Sequence, residues 1–247
     1  MKTGPIAFVF LLIALVIPVS GQKVRKETFE FEGKKRSYYL FVPETANPEH
    51  PAPMILLLHG SGHNGSSLTD KWKALAISEG IVLVAPDSLN SETWNIPLDG
   101  PDFLHELISQ LKSTHPIDSR RMYLFGHSGG AIMALHLALI ESEYFAAVAV
   151  HAGMLQKGDG PIVEQATRKT PIYIVVGTND PLFPLEGVHA THDYLTKRGF
   201  EVQLVEMKGH DHWYYDLAPK INAEAWLFLK MQKLAAEPRY TQYTFKK

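Results

Sequence analysis

The chain contains no cysteine, and that absence alone removes several architectures. Disulfide scaffolds, thiolate zinc sites, iron–sulfur clusters, a cysteine nucleophile and a lipid-modified N-terminal cysteine all need the missing sulfur. Charge of one sign is scarce as well: 24 basic residues stand against 26 acidic ones, for a net charge of −2. A chain so near neutrality offers no broad phosphate-binding surface, so nucleic-acid partners are set aside. Apolar runs long enough to matter to a membrane are confined to the N-terminus. The remainder is globular in composition. Of 247 residues, 45% are hydrophobic and 20% charged, too rich in core-forming side chains for a disordered chain. That length suits one large α/β domain or two small ones.

Residues 1–22 read MKTGPIAFVFLLIALVIPVSGQ. Lys2 supplies the positive start, 6–17 is an unbroken apolar run, and Val19 and Gly21 fit the small-residue rule for a cut ahead of Gln22. The run falls short of the ~20 residues that a spanning helix needs. We therefore read 1–21 as a cleaved export signal and expect a secreted or periplasmic protein with no membrane contact after cleavage. Cleavage removes Lys2 and no acid, so the mature chain carries −3.

From Val24 onward the signals alternate in type. Segments 28–31 and 36–42 alternate in polarity around Glu32-Gly33-Lys34, which predicts an antiparallel hairpin. Short apolar runs follow at 54–58, 81–85, 122–125, 146–150, 172–176 and 202–205, as expected of strands buried on both faces of a parallel sheet. Helical spacing of apolar residues occupies 67–79, 102–113, 130–140, 186–197 and 219–234. A hairpin followed by β-α repeats predicts a three-layer α/β sandwich with one mainly parallel sheet. We expect one domain over 22–236 and a polar, poorly ordered tail over 237–247.

Gly126-His127-Ser128-Gly129-Gly130 is a G-x-S-x-G sequence between an apolar strand and an apolar helix, the context in which that motif forms a nucleophile elbow. A serine on so tight a turn needs small neighbours two residues away on each side, and both are glycine. The N–H of Gly129 then points to where an oxyanion would form.

His59-Gly60-Ser61-Gly62 follows the first strand of the parallel set. It has two readings. One is a turn that donates the Ser61 N–H to the same oxyanion. The other is a dinucleotide fingerprint, since Gly60, Gly62 and Gly65 have G-x-G-x-x-G spacing and Asp87 lies about 20 residues on. A preceding hairpin, a downstream elbow and an exported location weigh against a nicotinamide cofactor, and no cofactor is expected. Asn64-Gly65-Ser66 is a glycosylation sequon in a glycosylating host.

A serine hydroxyl needs a neighbouring base, and the base needs a carboxylate to fix its tautomer. In the order Ser, acid, His, the acid is expected at Asp180, in the turn after the strand 172–176; Asp159 and Asp193 are weaker candidates in a loop and a helix. His210 and His212 compete for the base. A metal held by His210, Asp211 and His212 with His59 and His63 would need separate loops to converge, and none is expected.

These motifs resemble those of the α/β-hydrolase superfamily over about 25–235, and within it the exported esterases grouped with polyhydroxybutyrate depolymerases, feruloyl esterases and acetylxylan esterases. The carry-over runs through His59-Gly60, Ser128, Asp180 after Gly177-Thr178-Asn179, and the loop Gly209-His210-Asp211-His212-Trp213-Tyr214-Tyr215, which is similar to the catalytic-histidine loop of the esterase D family. The resemblance implies that His212 is the base. It implies a serine esterase acting on small or carbohydrate-linked esters through an acyl-enzyme. His59, Trp94, His127 and Trp213 are candidates to line its pocket. Only the short segments 88–101 and 153–170 could cover the site, so no large lid is expected. Two alternatives stand beside this: a prolyl-oligopeptidase-type peptidase, for which the usual gating domain is absent, and a non-catalytic glycan- or lipid-binding module.

Overall fold

A computed structural model describes residues 23–241. The expected export signal and residues 242–247 lie outside the described residues.

The apolar runs become strands whose side chains alternate between two faces. In β3 (Ala52–Leu58), Met54, Leu56 and Leu58 enter one buried cluster while Ile55 and Leu57 enter another. The opening hairpin is β1 (Arg25–Phe31) and β2 (Lys34–Phe41), paired antiparallel, and β2 pairs antiparallel with β4 (Val82–Pro86). The remaining pairs are parallel: β4 with β3, then β5 (Ile117–His127), β6 (Ala147–His151), β7 (Ile172–Gly177) and β8 (Val202–Met207). The sheet order is β1-β2-β4-β3-β5-β6-β7-β8.

Helices cover both faces. Buried residues of α1 (Gly65–Glu79) and α6 (Ala218–Leu229) join the cluster on one face. Those of α2 (Pro101–Thr114), α3 (Gly129–Ile140), α4 (Gly160–Gln165) and α5 (Leu185–Thr196) join the cluster on the other. The predicted three-layer sandwich is the observed one. After β3 the chain steps to β4 on one side and then crosses back to β5 on the other, so the carboxyl ends of β3 and β5 flank a crevice. Open α/β sheets bind ligands at such a switch point.

Some element limits differ from the sequence expectation. The last helix stops at Leu229, short of 234, because the chain turns back along β5: the Leu234 N–H donates to the Arg120 carbonyl at 3.0 Å. Strand β5 begins at Ile117, well before the apolar run at 122, since its first half is a charged stretch with partly exposed side chains. The segment 153–170 contains the short helix α4. As far as it is described, the tail is tied down. Tyr240 stacks on His105 at 4.0 Å, and the N–H and hydroxyl of Thr241 donate to the Glu141 carboxylate at 2.8 and 2.9 Å.

One buried ion pair shapes the wall of the crevice. Arg36 on β2 and Asp99 ahead of α2 are 2% and 0% exposed in their side chains. Arg36 donates to Asp99 and to the Leu98 carbonyl and lies over the Phe103 ring at 3.6 Å. Asp99 also accepts the N–H groups of Leu89 and Asn95, so one carboxylate gathers the loop that carries Trp94. Removing one partner leaves the other charged and dry, which costs about 3–5 kcal/mol. Asp99→Ala is expected to lose that much in urea unfolding, and a loss below about 1 kcal/mol would show the pair to be dispensable.

Candidate active site

Ser128 lies between β5 and α3 with φ 57° and ψ −120°, a conformation that costs a non-glycine residue of order 1–3 kcal/mol. Its backbone is held from both sides. The Ser128 N–H donates to the His151 carbonyl at 3.1 Å, and the Ser128 carbonyl accepts from Ala131 and Ile132 at 2.9 and 3.2 Å. The flanking glycines are required by contact. A Cβ on Gly126 would stand 2.2 Å from the Gly130 carbonyl oxygen, and one on Gly130 would stand 1.9 Å from that of Leu58. The elbow is thus pressed onto the end of β3.

Asp180 follows β7 with its side chain fully buried. Its Oδ1 accepts the N–H groups of Leu182 and Phe183 at 2.8 and 2.9 Å, and its Oδ2 lies 2.9 Å from His212 Nδ1. A carboxylate at Nδ1 makes that nitrogen the N–H donor of a neutral ring, which leaves a lone pair on Nε2. Nε2 lies 2.9 Å from Ser128 Oγ. The Phe183 ring is parallel to the His212 ring at 5.6 Å and fixes its plane. Three residues 32 to 84 positions apart are thereby joined. Asp159 instead meets His136 Nε2 at 2.9 Å, and Asp193 meets His192 on the exposed face of α5.

Ser61 and Gly129 are brought together because β3 and β5 are neighbours. A Cβ on Gly129 would lie 3.7 Å from the Ser61 nitrogen. Gly129 heads α3, so its N–H has no intrahelical acceptor. The Ser61 N–H has no protein acceptor among the described residues. Beside these two groups opens a cavity of ≈ 390 Å³, lined by Trp94, Ile96, Ile132, Met133 and His136. Gly129, Ile132, Met133 and His136 recur at helical spacing, so a single face of α3 forms one wall.

Of the four pocket candidates, only Trp94 lines this cavity; its indole N–H donates to the His59 carbonyl at 2.8 Å. His59 is 1% exposed and braces the turn instead: Nδ1 donates to the Gly60 carbonyl at 2.9 Å and Nε2 accepts the Ser88 N–H at 3.2 Å. Burial pushes its pKa down, consistent with that neutral ring. His127 is buried beneath the elbow, stacked on Tyr214. Trp213 is half exposed and borders a separate depression with Lys208 and Asp216. In each case the local backbone direction, which adjacency in sequence does not reveal, decides where the ring goes.

Asp87, His210 and His212 each find a different partner. Asp87 Oδ1 accepts the Gly65 N–H at 2.8 Å, so the carboxylate placed like a ribose ligand instead caps the start of α1. His210 turns inward to His151 at 3.0 Å while His212 faces Ser128, so the two rings serve different partners. Residues that sequence reasoning missed are His151, Phe183, and the Ile132, Met133 and His136 face; the helical period from Gly129 was the available signal for the last three.

Solved structures share this architecture. A ferulic acid esterase from Anaeromyces mucronatus superposes with a TM-score of 0.66 at 19% identity, covering 81% of this chain and 89% of that one. The chain has the α/β-hydrolase fold. A family model described as phospholipase/carboxylesterase matches residues 98–219 of this chain. It is similar to a bifunctional acetylxylan esterase/xylanase of Neocallimastix patriciarum, 30% identical over 64% of this chain and 23% of that protein. It is also similar to feruloyl esterase C of Emericella nidulans, 30% identical over 62% of this chain and 57% of that one. The alignments therefore span well under two thirds of those relatives. Among the described residues no helix is long and apolar enough to cross a membrane.

Gly130→Ala is expected to cost at least about 1–3 kcal/mol by overpacking, since its Cβ would meet the backbone of β3. Thermal unfolding checks this; an unshifted midpoint would mean that the elbow can move away from Leu58.

Proposed function

We propose that this α/β-hydrolase is a serine carboxylic ester hydrolase. The observation that carries the reading is the single imidazole of His212, 2.9 Å from Asp180 Oδ2 on one side and 2.9 Å from Ser128 Oγ on the other. A hydroxyl paired with a neutral ring nitrogen, itself oriented by a buried carboxylate, is the arrangement that activates a poor nucleophile.

In this reading His212 Nε2 takes the Ser128 proton as Oγ attacks the ester carbonyl. The oxyanion of the tetrahedral intermediate lies between the N–H groups of Ser61 and Gly129, and the adjacent N-terminus of α3 favours the same charge. Asp180 stabilises the imidazolium. The proton then passes from Nε2 to the departing alcohol oxygen, and the acyl group remains on Ser128. Water next gives a proton to Nε2 and its oxygen to the acyl carbon, and Nε2 returns that proton to Ser128 Oγ as the carbon–oxygen bond breaks, releasing the acid and restoring both serine and neutral imidazole. The cavity along α3 accepts one side of the ester, with Trp94 and Ile96 opposite the helix. From Gly129 to His136 it runs about 10 Å at the helical rise. Export through residues 1–21 and a small-molecule or carbohydrate-linked ester as substrate complete the proposal, supported by the resemblance to acetylxylan and feruloyl esterases.

Three outcomes test it. On p-nitrophenyl acetate, Ser128→Ala is expected to lose at least about 10³-fold in kcat with the unfolding midpoint retained; undiminished turnover would refute the nucleophile. Asp180→Asn should keep the bonds to Leu182 and Phe183 but present an amide N–H₂ to Nδ1. His212 would then carry its proton on Nε2, facing Ser128, and kcat should fall by about 10⁴-fold. Acidification converts the acceptor nitrogen into a donor, so kcat/KM should decline as pH falls, and a rate independent of pH from about 5 to 8 would contradict a histidine base.

A further inference from the structure

Next to the triad lies a second set of imidazoles that the reaction above leaves unused. His127, His151 and His210 are 4%, 0% and 9% exposed. His127 Nδ1 lies 3.0 Å from His151 Nδ1, and His151 Nε2 lies 3.0 Å from His210 Nε2. The rings form a chain across the carboxyl ends of β5 and β6 and the loop after β8, and His127 faces His212 with centroids 5.1 Å apart. Each ring reports to a different part of the triad. His127 precedes Ser128 directly. The His151 carbonyl accepts the Ser128 N–H. The His210 carbonyl accepts the N–H of Asn179 at 2.9 Å, beside Asp180, and His210 is two residues from His212.

We infer that His127, His151 and His210 form a positioning chain that sets the approach of His212 and Asp180 to Ser128, with His151 as its central link. A neutral imidazole has one donor and one acceptor nitrogen, so His151 can bridge its neighbours in either direction without a charge. If His151 donates through Nδ1, it accepts through Nε2 from His210; if it donates through Nε2, it accepts through Nδ1 from His127. Burial holds His127 and His151 below the ordinary histidine range, so the bridge stays uncharged in the working range. A purely apolar side chain of this size would pack but could not tie β5 to the β8 loop. Errors of about 1 Å in the placement of reacting groups can cost on the order of 10²-fold in rate.

This inference rests on the hydrolase reading, and its test separates the two. His151→Leu removes both bonds, whereas His151→Gln keeps a donor and an acceptor on one planar group; His210→Phe, which cuts only the outer bond, serves if the His151→Leu variant does not fold. Active sites are counted by fluorophosphonate titration, so that misfolded protein does not enter kcat. We expect His151→Leu and His210→Phe to lower kcat per titrated site by about 10- to 100-fold with KM within about two-fold of wild type, and His151→Gln to recover most of the loss. Full kcat per titrated site in the His151→Leu and His210→Phe variants, or a His151→Gln variant no faster than His151→Leu, would overturn the positioning role while leaving the hydrolase reading intact. Wild-type protein inert to both ester and fluorophosphonate would remove the hydrolase reading, and this inference with it.

Discussion

The site depends on how closely the turn after β5 is pressed against the end of β3. Two glycines make that approach sterically possible, with hypothetical Cβ contacts of 2.2 and 1.9 Å to neighbouring carbonyls. The same compression forces Ser128 to a positive φ and lifts its side chain out of the sheet. Strain of this kind persists only where the surroundings over-determine it. Here the surroundings are β3, β6 and β5 from Met122 onward, buried on both faces, and the His151 carbonyl that receives the serine N–H. Because β3 and β5 are adjacent, the approach that strains the serine also sets Ser61 beside Gly129. The raised serine side chain and the neighbouring N–H groups of Ser61 and Gly129 are consequences of one packing contact.

The remaining members arrive through the parallel sheet. Strands β5, β6 and β7 lie side by side, so their carboxyl ends bring Ser128, His151 and the Asp180 turn to one rim. The His212 loop follows β8 at the edge, where fewer neighbours hold it, and there side-chain bonds from His212 to Asp180 and from His210 to His151 join the backbone bond from Asn179 to His210. On the opposite side of the crevice the Arg36–Asp99 pair performs the same service for the Trp94 loop. Loops at a rim need such anchors because the sheet ladder does not extend into them.

Much of this was legible in the residues. Alternating short apolar runs and helical periods specify the layered fold, and G-x-S-x-G at a strand–helix junction locates the elbow without reference to anything distant. Asp180 is marked by its place after a strand end, while the choice of His212 over His210 comes from a family resemblance. What the sequence does not display is direction. His59, His127 and Trp213 sit beside site residues in the chain, yet backbone orientation turns two of them into the core and one onto a separate depression. His151 ends an apolar strand, and nothing in the sequence pairs it with His127 on β5 or His210 after β8. The short reach of the last helix is hidden for a similar reason: Leu234 and Gln232 bind β5 residues more than a hundred positions away.

Four imidazoles lie within one cluster, and the partner each one finds decides its part. His127, His151 and His210 bond through ring nitrogens to one another, and burial disfavours a charge on the first two. Of the four, His212 alone meets a carboxylate among the described residues, and that carboxylate is fixed by two backbone N–H groups so that it cannot rotate away. In the proposed reaction a proton taken from Ser128 therefore has one place where its positive charge is balanced by a buried negative one. The neighbouring rings supply orientation, and burial keeps His127 and His151 from becoming rival cations. A cluster of histidines thus need not imply a metal or several bases; the distribution of a single carboxylate among them is enough to assign one acid–base centre and leave the others to hold it in place.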